Sequence, residues 1–565
     1  MDKTFVYQEF GIRETLAYPD LSVYDFIRIG ENVSLSATAY DYFNQTASYD
    51  TLFSHIARAA ASLIRLGVRE NDRVSVCMPN TPATIIMFYA INAVGAVANM
   101  IHPLSSENEI QYFLNVSDSK FMMAADFALP KIENIKSRTM LKKIIVAAVS
   151  DYMSPVTAAL FWVSKGRKIP AAHYGGDKIK WSDFFTLAPE GEVPDLPERR
   201  GDDTAAILYS GGTTGKPKGV VLTNLNFNAL ALQSIEMVGV IEKGEIMLGI
   251  MPMFHGFGLG VGVHTALYSG AKILVIPQFS SKIFIEVINK KRPSVIVGVP
   301  TLYESMIKSR ELIKSDLSFI KAVICGGDSL SGSLKSKIDE FLLQHGTKAT
   351  VREGYGLTEC VTGTCLMPNG CSKSGSVGIP YPDAFYKTVI PYTETETEPG
   401  GDGEICISGP AVMREYLNEP IETKQSLRLH GDGKIWLHTG DLGSIDSDGY
   451  ISFKLRLKRM IVSKGFNIYP GMIENTLNLH EAVASSTVVG VPDEYMGQRI
   501  KAYIVLEKGF KATDELKEEI LSHCERNISK FSIPHEFEFK SELPKTRMGK
   551  IDYNVLTTSS SCEPE

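Results

Sequence analysis

The densest chemistry in the chain lies at residues 209–219, where Ser210, Gly211, Gly212, Thr213, Thr214, Gly215 and Lys218 fall within eleven positions. Glycines let backbone N–H groups approach phosphate oxygens closely. The hydroxyls add donors, and Lys218 adds a mobile positive charge. The apolar run 205–208 just before reads as a short buried strand. A Walker A loop does not fit: Gly211 and Gly215 enclose three residues rather than four, and Pro217 stands where the magnesium-binding hydroxyl belongs. A glycine-rich surface turn is the plain alternative, but this density of Gly, Thr and Lys favours a triphosphate cradle.

Further groups follow along the chain. Gly354, Tyr355, Gly356, Leu357, Thr358 and Glu359 bring an aromatic, a hydroxyl and a carboxylate together. An aromatic can stack on a base, a threonine can donate to phosphate, and a glutamate oxygen is a hard ligand for Mg²⁺. Asp441, in Trp436-Leu437-His438-Thr439-Gly440-Asp441, offers paired oxygens to two hydroxyls, or is a simple turn carboxylate. Lys550 closes Pro544-Lys545-Thr546-Arg547-Met548-Gly549-Lys550 on a glycine-hinged loop that would let its charge reach a reaction centre. His255 sits in Pro252-Met253-Phe254-His255-Gly256-Phe257-Gly258, whose glycines do not fit a dinucleotide fingerprint. At Gly326-Gly327-Asp328 the carboxylate can accept from a base amino group, or cap the next helix with Ser329 and Ser331.

These groups need a large scaffold. At 565 residues the chain exceeds one ordinary domain, and 44 % hydrophobic with 22 % charged residues suits a globular protein. A net charge of −7 argues against nucleic acid as a partner. The first residues lack the apolar core of a secretory signal, so a cytoplasmic location is expected. Residues 81–103 carry no charge but include Asn92, Gly95 and Asn99, and read as a buried helix rather than a span. The eight cysteines show no C-x-x-C pairing and read as free thiols. Apolar runs at 73–78, 121–125, 142–148, 272–277, 294–298 and 322–325 alternate with helical patterns such as 51–66, 282–291 and 302–313. This predicts an α/β architecture with mostly parallel sheets. Short strands and turns from 382 to about 450 predict a β-rich subdomain, followed by an α+β mixture and a polar, unstructured tail from Thr557. Within 151–170, an apolar segment at 155–163 is flanked by Lys165, Arg167 and Lys168. It is either a surface helix packed on the large domain or a point of peripheral membrane contact.

Taken in order, these motifs resemble those of the adenylate-forming superfamily, which includes acyl-CoA synthetases, peptide-synthetase adenylation domains and beetle luciferases. The double-glycine loop is especially similar to bacterial medium- and long-chain fatty acyl-CoA ligases. The resemblance spans residues 51–551 and implies a large N-terminal domain, 1–458, of stacked αβ subdomains plus a β-barrel-like subdomain. A small mobile α+β domain, 459–565, would hinge near Arg459. It implies ATP, Mg²⁺ and CoA as cofactors and a small-molecule carboxylate as substrate. Tyr355 and Gly356 would line the adenine site with Gly327 and Asp328, Thr358 would contact phosphate and Glu359 would bind magnesium. Asp441 and Arg456 would hold the ribose, Lys464 and Gly465 would line the pantetheine tunnel, and Lys550 would be catalytic. His255 and Phe257 would sit beside the acyl carboxylate. The chain departs from the family at Leu455, where aspartate is usual, at Asp328, where a small residue is usual, and at Glu415, where glycine is common. The amine-binding aspartate of amino-acid-activating members is missing near His255, which disfavours an amino-acid substrate. Fatty acid activation is the favoured reading. Aryl or bile-acid ligation, loading of a carrier protein and a silent adenylate-binding regulator are the alternatives. Oligomeric state is not legible.

Overall fold

The computed structural model describes residues 4–30, 33–170, 172–192, 194–210, 217–278, 280–463, 466–468, 470–493, 495–545 and 551–559. Two large sheets form the core. The eight-stranded sheet has a parallel centre (Val97–Met100, Arg73–Cys77, Phe121–Ala125, Lys143–Ala147) and one antiparallel hairpin, Thr204–Ser210 with Lys218–Thr223. The nine-stranded sheet runs parallel through Lys272–Val275, Ile246–Gly249, Val295–Gly298, Ala322–Cys325 and Val351–Tyr355. The central strands are buried on both faces, as continuous Val/Ile/Leu/Ala runs require.

Helices between the strands begin and end where local chemistry says they should. Ser48 caps Tyr49–Leu66 by accepting from the Thr51 N–H at 3.1 Å, and Leu52, Ile56, Ala59 and Leu63 point one stripe into the core. Thr81 caps Pro82–Ala93, and every residue of that helix is buried between the sheets. The uncharged run at 81–103 is therefore a core helix and a strand, and no described helix is long and apolar enough to cross a membrane. The helix expected over 302–313 stops earlier, at Pro300–Ile307. Ser309 accepts from the Glu311 N–H at 3.2 Å, a local bond that competes with another helical turn.

A third, antiparallel sheet joins Phe385–Val389, Gly403–Ser408, Ile435–Ile445, Leu427–Leu429 and Ile451–Arg456. Leu455 is buried there against Leu442 and Leu457, a dry site in which a carboxylate would lose its hydration without a partner. The last sheet joins Phe466–Ile468, Ile461–Ser463, Gly497–Leu506 and Val483–Asp493, with Glu536–Lys540 added in parallel. Arg459, at the junction, is not the exposed linker charge its position suggests. It pairs with Glu474 at 2.8 Å and lies 3.7 Å over the Tyr553 ring. The expectation of an unstructured tail from Thr557 is corrected for 557–559, and the rest of that segment lies outside the described residues. A helix spans Tyr553–Ser559, ordered because Leu556 is buried and its carbonyl accepts from the Tyr503 hydroxyl at 3.0 Å.

Candidate active site

The hairpin of Thr204–Ser210 and Lys218–Thr223 closes with Ser210 opposite Lys218, so it brings the two ends of the glycine-rich loop together. Gly211, Gly212, Thr213, Thr214 and Gly215 themselves lie outside the described residues, as do Lys464, Gly465 and Lys550. Lys218 forms an ion pair with Glu422 and lies 4.9 Å over the ring of Tyr416. The Tyr416 hydroxyl in turn donates to Glu359 Oε1 at 2.8 Å. Burial, and then the charge of Glu359, push the Tyr416 phenol up, so it stays a donor. One oxygen of Glu359 is thus held, and the residue lies within the short helical turn Thr358–Cys360, in which Thr358 is buried.

Tyr355 ends the strand before that turn. Its hydroxyl donates to Asp441 Oδ2 at 2.7 Å, and its ring stacks on Phe453 at 5.8 Å. Asp441 and Arg456 are directly paired across neighbouring strands, with the guanidinium Nε 3.4 Å from Asp441 Oδ1. Tyr355 and Arg456, far apart in sequence, therefore converge on the one buried carboxylate of Asp441. The turn carrying Asp441 is fixed from below. Glu404 accepts from the Gly440 N–H and from His438 Nδ1, both at 3.0 Å, and His438 contacts His430 at 3.0 Å. Tyr416, Phe453 and Glu404 belong to this assembly, and no spacing in the sequence marks them.

His255 sits in a loop drawn tightly onto the same region. Its Nδ1 accepts from the Phe257 N–H at 3.2 Å. A Cβ on Gly256 would lie 1.8 Å from the Val361 carbonyl oxygen, and one on Gly356 would lie 1.4 Å from that of Thr362. Val361 and Thr362 have φ of 57° and 131°, unusual for β-branched residues. Strained backbone of this kind persists only where its surroundings over-determine it, and it clusters at working sites. The segment after Gly256 is a π-helix, Phe257–Thr265, another form common at such sites.

Between these elements lies a small cleft with a cavity volume of about 40 Å³, bordered by Phe257, Val261, Gly326, Gly327, Tyr355 and Leu366. No charged side chain is among the described residues that line it. Gly327 (φ 80°) makes the turn at its rim. Asp328 does not cap the next helix. It accepts from the Ser329 N–H at 2.9 Å, while Ser331 caps Gly332–Gln344. Glu353, two residues before Tyr355, is pushed up to about 7 from 4.5, chiefly by burial, with Lys335 opposing and Asp339 adding to the shift. The folded chain therefore holds a proton that the unfolded chain has released, so stability falls as pH rises from about 4.5 to about 7. Glu353→Gln should flatten that part of the curve of urea midpoint against pH. An unchanged slope would remove Glu353 from the account. No group of three or more metal-binding side chains occurs among the described residues.

Known proteins resemble this chain over most of its length. The AMP-binding enzyme family model matches residues 31–417, and that for the AMP-binding enzyme C-terminal domain matches 472–550. The chain is 33 % identical over 523 residues to the long-chain-fatty-acid–CoA ligase of Bacillus subtilis (strain 168), covering 91 % of this chain and 90 % of that one. It is 30 % identical over 502 residues to 4-coumarate–CoA ligase 2 of Oryza sativa subsp. japonica, covering 87 % and 84 %. The crystal structure of the ATP-bound RpMatB-BxBclM chimera B1 superposes with a TM-score of 0.84 at 25 % identity, covering 95 % of this chain and 99 % of that chain. Two family domains in this order, with a CoA ligase matched through nine-tenths of its length, place the chain in the AMP-binding enzyme family, among its acid–thiol ligases.

Proposed function

We propose that the enzyme activates a medium- or long-chain fatty acid with ATP and passes it to CoA. The likeness to a long-chain-fatty-acid–CoA ligase through nine-tenths of both chains carries this reading, and the uncharged lining of the cleft beside Tyr355 offers an amino acid no counter-charge. In the first half-reaction the substrate carboxylate attacks the α-phosphorus of ATP and pyrophosphate leaves. Ser210, Gly211, Gly212, Thr213, Thr214, Gly215 and Lys218 hold the phosphates, Thr358 donates to them, and Asp441 and Arg456 hold the ribose. Gly327, Asp328, Tyr355 and Gly356 border the adenine, and His255 and Phe257 border the acyl carboxylate. Glu359, with one oxygen accepting from Tyr416, is the residue that would hold a magnesium ion. Such an ion would offset charge on the phosphates. Lys550 stabilises the charge that grows on the α-phosphate. Residues 459–565 then turn about Arg459 and bring Lys464 and Gly465 to the site. The CoA sulfur attacks the acyl carbonyl, the bond to AMP breaks, and AMP departs. Withdrawal of Lys550 and exclusion of water protect the mixed anhydride. The protein acts in the cytoplasm on small molecules.

The likeness to a 4-coumarate–CoA ligase keeps an aryl acid as the second reading. AMP release with ATP, Mg²⁺ and CoA should therefore be measured on acetate, octanoate, palmitate, benzoate, coumarate, a bile acid and several amino acids. A CoA-dependent maximum among the fatty acids is expected. A maximum at an aryl or bile acid replaces the substrate class, and adenylate formation indifferent to CoA moves the acceptor to a carrier protein. No turnover of any acid would leave a silent regulator.

A further inference from the structure

The helix Pro155–Ser164 has the composition of a core element and the exposure of a surface one. Ser154 caps it, yet none of its residues is buried. Thr157, Ala158 and Phe161, at helical spacing, are half-buried against the domain. The opposite face carries Val156, Leu160, Trp162 and Val163, exposed by 72, 67, 58 and 53 %. An uncovered apolar stripe of this kind is costly in water and marks an interaction surface.

Charge identifies its occupant. Residues 155–170 hold Lys165, Arg167 and Lys168 and no acid, in a chain of net charge −7. The Arg167 guanidinium lies 5.1 Å over the Trp162 ring, and Lys165 Nζ donates to Gln278 Oε1 at 2.9 Å, which ties the basic end to the large domain. An apolar face bordered by tryptophan and cations, with no acid within residues 155–170, matches the acyl–headgroup boundary of an anionic bilayer. Placement agrees. The segment leaves the carboxyl end of strand Lys143–Ala147, and Gln278 follows the carboxyl end of Lys272–Val275. That strand runs parallel to Ile246–Gly249, whose carboxyl end leads to His255. We propose that Pro155–Ser164 docks the enzyme on anionic phospholipid membranes, at the same edge of the sheet as the His255 loop. The use of that position rests on the fatty acid reading, whereas membrane binding is measured without turnover.

The test is co-sedimentation of the full chain with vesicles of phosphatidylcholine, alone or mixed with phosphatidylglycerol. Trp181 and Trp436 are buried, so a blue shift of tryptophan emission reports Trp162. Binding to the mixed vesicles, weakened by salt, is expected. The combined Lys165→Gln, Arg167→Gln and Lys168→Gln variant should lower partitioning roughly 10²-fold, about fivefold per cation. Val156→Ser with Leu160→Ser should abolish the blue shift while leaving the thermal transition in place, since neither side chain is buried. Failure of the wild type to bind, or equal binding by both variants, overturns the proposal. So does binding that ignores the cations, or a dimer in the absence of vesicles that the serine variant dissociates. The last result would make a second copy the occupant.

Discussion

Lys550→Ala is expected to slow acyl-adenylate formation by about 10²- to 10³-fold, the usual cost of removing one charge-stabilising donor from a preorganised site. Thioester formation from supplied acyl-adenylate and CoA should change far less, because the proposed domain rotation has withdrawn Lys550 by then. The two half-reactions are separable: pyrophosphate release reads the first, and acyl-CoA formation from synthetic acyl-adenylate reads the second. Lys545→Ala, which removes another cation from the same loop, is the comparator. It should leave both rates much closer to the parent. Equal loss of both half-reactions in Lys550→Ala would remove the two-conformation assignment and leave a lysine of general structural importance.

Gly356→Ala should be nearly as damaging, for a reason that involves no charge. Its Cβ would stand 1.4 Å from the Thr362 carbonyl oxygen, with Thr362 C at 2.4 Å and Gly363 Cα at 2.9 Å, all backbone atoms. No rotamer change can relieve that overlap. Either the strand carrying Tyr355 or the strained Val361–Thr362 turn must move, and both flank Glu359. A shift of about 1 Å at reacting groups costs about 10²-fold in rate, so adenylation should fall by at least that much. Stability should fall by about 3 kcal/mol, at the upper end for overpacking. Gly332→Ala is the control: nothing lies within 4 Å of its Cβ and its backbone is helical, so activity should be kept and stability unchanged or slightly raised. A fully active Gly356→Ala would show that the turn is more yielding than its packing implies.

Whatever depends on neighbours along the chain is legible in the amino-acid sequence. Ser48, Thr81, Ser106 and Ser331 cap helices where their side chains can reach a backbone N–H three residues on. Buried parallel strands were legible as short apolar runs. The chemistry was legible too, because a loop rich in Gly, Thr and Lys, a Tyr-Gly-Leu-Thr-Glu turn and a Thr-Gly-Asp turn are local arrangements whose order along the chain is informative. Tertiary structure decided which side chains meet. Tyr355 and Arg456 share the Asp441 carboxylate only because strand Val351–Tyr355 ends beside the paired strands Ile435–Ile445 and Ile451–Arg456. Tyr416 reaches Glu359, and Glu404 reaches Gly440, across separations that no periodicity encodes. The cleft likewise draws its walls from Val261, Gly326 and Leu366, so its shape could not be read from any one segment. The clearest case is a pair of helices. Pro82–Ala93 and Pro155–Ser164 are both uncharged, apolar and opened by a hydroxyl cap and a proline, yet one is wholly buried and the other has an apolar face open to solvent. Composition sets how strongly a surface avoids water; whether another surface is there to cover it depends on the rest of the fold.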